Sequence, residues 1–260
     1  MRVVVIGGTG LIGSKLVGLL REGAHEVIAA SPMSGVNTVT GDGLAEAMEG
    51  TEIVVDVANS PSFESPVAWD FFFASGNNLM AVEKAAGIKH HVTLSVVGTD
   101  RMLDSGYFRA KLLQEDLVRS SGLPYTILRS TQFFEFMGGI ANSNTQSQLV
   151  RLSPALVRPV AADDVAEALG EVAVTAPLYR IAEFAGPEEF RLCDAVGRVL
   201  AANHDERLVV ADSRAPYFGI QLQERTLLPQ GEPSTAPTSL DDWIARTTPA
   251  APVRQQREPA

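Results

Sequence analysis

MRVVVIGGTGLIGSKLVGLLRE, residues 1–22, holds a β-branched run, a glycine turn and a helix-like segment with nothing between them. The run MRVVVI stops at Gly7. Gly7-Gly8-Thr9-Gly10-Leu11-Ile12-Gly13 then opens into LIGSKLVGLLRE, whose Leu11, Lys15, Gly18 and Leu19 fall on helical spacing before Gly23. Glycines at such spacing are weak evidence alone, but a strand before the turn and a helix after it put them where dinucleotide binding requires them. Gly7 permits the tight turn, a side chain at Gly10 would block a pyrophosphate, and Gly13 lets helix and strand pack closely. Around Thr9, Leu11 and Ile12 the unpaired first-turn amides and the positive dipole end of the helix face the phosphates.

The same alternation continues outward. HEVIAA (25–30), EIVVDV (52–57), HVTLSVV (91–97) and PYTILRS (124–130) read as strands, and GLAEAMEG (43–50), 67–86 and YFRAKLLQEDLVRS (107–120) as helices. Strands apolar on both faces and separated by helices predict a parallel sheet covered on both sides. Right-handed crossovers then make it an α/β, Rossmann-type doubly wound sheet. From residue 131 the rhythm loosens. FFEFMGGIANSNTQSQ (133–148) reads as a connection over a ligand pocket. LYRIAEFAG (178–186) returns as a strand, FRLCDAVGRVLAA (190–202) as a helix, ERLVVAD (206–212) as a short strand and SLDDWIAR (239–246) as a capped terminal helix. The division expected is a dinucleotide-binding core over 1–130, a small substrate-covering part over 131–246, and a mobile tail over 247–260.

Composition narrows the functional classes. The 260 residues are 45% hydrophobic and 20% charged, with a formal net charge of -10. That balance disfavours nucleic acid as a partner, because phosphate-backbone binding needs clustered Lys and Arg. No stretch approaches the ~18 apolar residues of a membrane span, and the apolar start is too short for a signal peptide. The single cysteine, Cys193, fits a reducing cytoplasm and reads as a small buried hydrophobe. His25, His90, His91 and His204 show no metal-ligand spacing, and His90-His91 reads as solvent-facing or at a strand edge.

The Gly-x-x-Gly-x-x-Gly variant resembles the atypical and extended branches of the short-chain dehydrogenase/reductase superfamily. SVVGTDR (95–101), SGYFRAK (105–111), GLPYTILRSTQFFEF (122–136) and VAADDVAEAL (160–169) are similar to its NmrA-like, NAD(P)H-binding branch, over roughly residues 1–200. The resemblance implies either a reductase of quinones and small carbonyls or a sensor that binds the dinucleotide without chemistry. In that superfamily Tyr107 would be the catalytic acid and Lys111, four residues on, its activator and ribose anchor. An adjacent ammonium lowers a phenol's pKa from ~10. Ser95 lies close to where relatives keep a serine that hydrogen-bonds the substrate oxygen, with Thr99 a competitor. Asp42 falls where relatives hold an acid against the adenine amine, though a plain helix cap is the alternative. Asn59 falls on the cofactor channel, or is a turn residue before Pro61.

An NAD site usually carries Asp or Glu about 20 residues past the turn. Here that place reads Ala29-Ala30-Ser31-Pro32. The missing carboxylate favours NADP(H) over NAD(H), with Ser31 and Ser34 as donors to the 2′-phosphate, or else as residues of a turn. Phe133, Phe134, Phe136 and Met137 follow a strand end and are either an apolar substrate wall or core, with Tyr217 and Phe218 covering the same pocket. Of Phe71, Phe72 and Phe73, at least one should be buried and another available to a partner subunit, as in a homodimer. The expectation is an NADPH-dependent reductase delivering hydride to a carbonyl or quinone-type small molecule. A non-catalytic redox sensor, or an epimerase or dehydratase using its cofactor transiently, is the alternative.

Overall fold

The structure, a computed structural model, describes residues 1–248. The first half alternates as β1 (Arg2–Ile6), α1 (Leu11–Glu22), β2 (Glu26–Ala30), α2 (Leu44–Met48), β3 (Ile53–Asp56), α3 (Ser65–Ala86), β4 (His90–Val96), α4 (Gly106–Ser120) and β5 (Tyr125–Ser130). There follow α5 (Met137–Ser143), β6 (Thr145–Gln146), β7 (Leu149–Leu152), β8 (Leu156–Val157), α6 (Ala162–Val174) and β9 (Ile181–Ala185). The chain then runs through β10 (Phe190–Arg191), α7 (Leu192–Ala202), β11 (Leu208–Ala211), β12 (Ser234–Thr235) and α8 (Leu240–Thr247).

One seven-stranded sheet, in the order β12-β9-β5-β4-β3-β1-β2, is parallel throughout. Strand order reverses at β1, which has β2 on one side and β3 on the other. Ligands of open α/β sheets bind at the carboxyl end of such a switch point. Alternation of side chains sorts the core into two layers. Val3, Val5, Val55 and Val92 pack under α1 and α6, while Val4, Val54 and Ile127 pack under α2, α3 and α4. A third cluster joins Phe72, Tyr107 and Phe108 to α5, α7 and the C-terminal segments.

The segment after β5 departs from expectation. It is not a loose connection: α5 forms despite Gly138 and Gly139, because Met137, Ile140 and Ala141 are buried, and packing outweighs poor propensity. The tail boundary also shifts, since Thr247 closes α8 and Thr248 caps it; residues 249–260 lie outside the described residues. His90 and His91 are buried in β4 rather than solvent-facing. His91 Nδ1 meets the buried Glu83 carboxylate at 2.9 Å and its Nε2 meets Thr93 at 2.7 Å. Burial opposes charging of His91, yet Glu83 and Asp56 hold its pKa above the ordinary imidazole value. Phe72 is buried and Phe73 is 52% exposed, which divides the Phe71–Phe73 run as its spacing requires.

Candidate functional site

β1 ends at Gly7, whose φ of +78 turns the chain back. A Cβ there would lie 3.0 Å from the Ala58 backbone, and one at Gly13 would lie 2.1 Å from the Gly7 carbonyl. Both glycines are therefore dictated by packing of turn, helix and neighbouring strand. Gly8, to which sequence reading gave no role, is equally constrained: its Cβ would lie 2.7 Å from Ala29 in β2. Gly10 differs, because an added Cβ meets only the Gly7 carbonyl at 3.3 Å and otherwise faces open space. No side chain caps α1, whose N-cap is Gly10, so the first-turn amides near Leu11, Ile12 and Gly13 stay available to an anion. Thr9 and Leu11 are exposed there, whereas the Ile12 side chain packs into the core.

At the end of β2 the two serines divide. Ser34 Oγ accepts from the Ser31 amide and donates to the Ser31 carbonyl, both at 2.9 Å, so it belongs to the turn rather than to a phosphate site. Ser31 Oγ is buried with no hydrogen-bond partner. A buried hydroxyl left unpaired is uncommon and points to a missing partner. Asp42 is exposed and accepts from Thr40 Oγ1 at 2.6 Å, and Gly43 rather than Asp42 caps α2. The open cradle at Gly10, the uncapped α1 and the orphaned Ser31 hydroxyl together fit a dinucleotide.

At the carboxyl edge of β3, β4 and β5 the structure brings Asn59 and Tyr107 together. The Tyr107 hydroxyl donates to Asn59 Oδ1 at 3.0 Å, and the Ser60 amide donates to the same oxygen at 2.9 Å. Burial pushes the Tyr107 phenol up to about 12, against the pull of Asn59. The expected activation by Lys111 does not occur in this state. Lys111 Nζ donates instead to the Leu94 carbonyl at 2.9 Å and to Gln114 Oε1 at 2.5 Å, over the face of Phe72. Burial pulls its ammonium down to about 8, while Asp56 and Glu115 work the other way. Gln114 passes the connection to Asp56 Oδ2 at 2.7 Å.

Ser95 does not join this group. Its hydroxyl donates to Glu115 Oε1 at 2.6 Å inside a buried network in which Arg129 grips Glu115 at 2.8 and 2.7 Å and reaches Asp100 at 3.1 Å. A proton held by a carboxylate is unavailable to a substrate oxygen. Thr99 is no replacement, since its hydroxyl donates to the Val96 carbonyl. The expected substrate wall also moves. Phe134 packs on Trp243, and both Phe134 and Met137 lie within the third core cluster. Phe133 belongs mostly to the core beside Ile12, and stacks on the half-exposed Phe136. Tyr217 is buried as well, its pKa raised by burial. The rings that do surround Tyr107 are Phe63, Phe72, Phe108 and Phe218.

Sequence reading missed Gln132. It follows β5, is 6% exposed, and its amide lies within reach of the Tyr217 hydroxyl. Its position one residue before the Phe133 run is the only signal the sequence offered.

Fold and site define a Rossmann-type dinucleotide-binding protein. Comparison narrows this further: the NAD(P)H-binding family matches residues 7–175, and the chain belongs to it. The short-chain dehydrogenase/reductase resemblance holds at that level. Photosystem II assembly factor Ycf39 of Cyanophora paradoxa is 24% identical over 153 residues, covering 54% of this chain and 48% of that protein. Ycf39 of Synechocystis sp. is likewise 24% identical. The chain thus spans about half the length of these curated relatives. Among solved structures, a dTDP-4-dehydrorhamnose reductase from Clostridium acetobutylicum superposes with a TM-score of 0.73 at 14% identity, over 95% of this chain and 99% of that one. The dTDP-glucose 4,6-dehydratase DesIV from Streptomyces venezuelae gives 0.69 at 18%, over 95% and 96%. Likeness at such identity carries the fold alone. Among the described residues no helix is long and apolar enough to cross a membrane.

Proposed function

We propose that the protein is an NADPH-dependent reductase acting on a carbonyl or quinone-type small molecule. The observation that carries this reading is the Tyr107–Asn59 hydrogen bond at the carboxyl edge of the sheet, the edge at which the glycine turn also lies. The amides of the turn and of the α1 N-terminus would hold the pyrophosphate, and Ser31 Oγ would donate to a 2′-phosphate where no carboxylate repels it. When bound, the nicotinamide supplies the hydride. Tyr107 supplies the proton to the substrate oxygen by turning its hydroxyl away from Asn59 Oδ1, which accepts it until substrate binds. Lys111 has three N–H donors, two of them committed internally, which leaves one for the ribose.

Two measurements test this. Saturating NADPH should raise stability by about 2.7 kcal/mol at a hundredfold excess over its dissociation constant, and NADH should do less. Equal protection by NADH in a thermal-shift titration removes the NADP preference. With quinones and aldehydes as acceptors, Tyr107→Phe should lose ~10²–10⁴ in turnover at unchanged cofactor affinity. A native chain that turns over while Tyr107→Phe matches it would rule out Tyr107 as the acid.

A second reading, a dinucleotide-binding regulator without turnover, draws support from the burial of Tyr107, only 6% exposed. The curated relatives, named as assembly factors, are compatible with it. That reading predicts NADPH binding without oxidation across the same acceptors.

A further inference from the structure

Residues 217–220 form a two-residue hairpin turn. The Tyr217 amide donates to the Ile220 carbonyl at 2.8 Å, and the Ile220 amide donates back at 3.2 Å. Its central residues, Phe218 and Gly219, lie at φ +49 and +85. These are values of a type I′ turn, where Asn, Asp and Gly are at home. Gly219 suits its place and Phe218 does not. A bulky residue held left-handed is strained by its Cβ against the following carbonyl, so surrounding contacts must hold it there.

Those contacts are at the candidate active site. The Phe218 ring stacks on Tyr107 at 5.6 Å and 25°, and meets Phe63 edge-on at 5.1 Å. Phe63 meets the Tyr107 ring edge-on at 5.0 Å. Both covering rings reach the surface, at 53% exposure for Phe63 and 36% for Phe218. Beyond Gly219 lies a cleft of about 530 Å³, bordered by Arg101, Met102 and Gln221. Beneath it, the Gln132 amide lies within reach of the Tyr217 hydroxyl. The closed arrangement thus combines a strained turn with two exposed rings.

We infer that Phe218 is a substrate-selecting gate, whose ring holds the place on Tyr107 where a flat substrate ring stacks. This rests on the reductase reading of Tyr107. Of the four ring contacts that Phe218 makes, with Tyr107, Phe63, Phe108 and Tyr217, a planar conjugated acceptor replaces the stack on Tyr107 and the edge contact with Phe63. An aliphatic carbonyl replaces neither. Opening also releases the strain of the turn, which offsets part of the lost packing.

The test uses the full chain with Phe218→Asn, which suits a type I′ turn, and Phe218→Leu, which keeps apolar volume without a flat ring. The first readout needs no ligand: phenol absorbance against pH, each protein measured against its Tyr107→Phe counterpart. The Tyr107 midpoint should move from about 12 toward about 10 in Phe218→Asn, and part of the way in Phe218→Leu. The second is calorimetric binding of menadione, a flat naphthoquinone, to protein loaded with NADP⁺. A site open in about one molecule in ten has its affinity lowered about tenfold, so both variants should bind menadione up to about tenfold more tightly. A Tyr107 midpoint that stays put, or a menadione affinity that does not rise in either variant, overturns the gate. Absence of NADPH binding by the native chain, read in its own titration, overturns the reductase reading and the gate with it.

Discussion

Tyr107 and Lys111 sit four residues apart on one helix, yet burial moves their proton affinities in opposite directions. The phenol rises to about 12 and the ammonium falls to about 8. The phenol therefore stays protonated below about 12, and under the proposed reading Tyr107 itself would impose no alkaline limit below that value. Lys111 imposes an earlier one, since its charge fades as pH rises through about 8. NADPH affinity should weaken through that window, and Lys111→Met should bind weakly at all pH values without the inflection; calorimetry at several pH values checks both. Linkage has its own sign here. The folded pKa of Lys111 lies below its unfolded value, so the unfolded chain binds more protons between about 8 and the ordinary lysine value of about 10.4. This one group therefore adds stability as pH climbs through that window, and subtracts it below. Ser95 is different in kind. Its hydroxyl serves the Glu115–Arg129 network, so Ser95→Ala should cost about 1–3 kcal/mol in a urea melt and leave turnover within about twofold, well short of the loss from removing a catalytic group.

At the scale of elements, the strand–turn–helix unit separates ligand-facing from packing glycines. Gly10→Val places its branches on the open side of the turn, so NADPH binding should vanish while the fold survives. Gly13→Ala places a Cβ 2.1 Å from the Gly7 carbonyl, so it should cost about 1–3 kcal/mol through forced separation of α1 and β1. Urea melts beside NADPH titrations distinguish the two; a Gly13→Ala protein of native stability would contradict the close-packing account. This unit was legible in the sequence because a buried parallel strand, a glycine turn and an amphipathic helix each leave a periodic trace. The alternation of strands and helices through β5 was legible for the same reason. Side-chain direction beyond a strand end was not, because no period governs it there. Phe134 and Met137 could face a ligand or the core, and tertiary packing of α5 and α8 chose the core. The burial of His91 was hidden too, since only the fold brings Glu83 of α3 to within 2.9 Å of it. Ser95 had the expected place, but its partner Glu115 lies on a helix whose rotation about its axis the sequence did not specify.

On the scale of the molecule, the sheet and the core run unbroken across residue 130. Strand β9 pairs with β5 from Ile127↔Ile181 onward, and β12 pairs with β9, so the C-terminal part completes the same sheet. Helix α6 supplies Val165, Ala166, Leu169 and Ala173 to the cluster that also holds Ile12 and Leu16 of α1. Val165 and Leu169 alone, fully buried, represent about 1.5–3 kcal/mol each, and domains of this kind are stable by only about 5–15 kcal/mol in total. A fragment of residues 1–130 would lose that burial. It would also bare the edge of β5 and leave Phe72, Tyr107 and Phe108 without the third cluster that covers them. An open, apolar strand edge invites association with another chain. The fragment should therefore show no cooperative urea transition, little near-ultraviolet circular dichroism, and no measurable NADPH affinity, even though the whole glycine turn is present in it. The full chain under the same conditions should give one cooperative transition, shifted upward by NADPH. A 1–130 fragment that melts cooperatively and binds NADPH as the full chain does would show that the first half is a self-sufficient domain. The role of the second half would then be confined to covering the substrate.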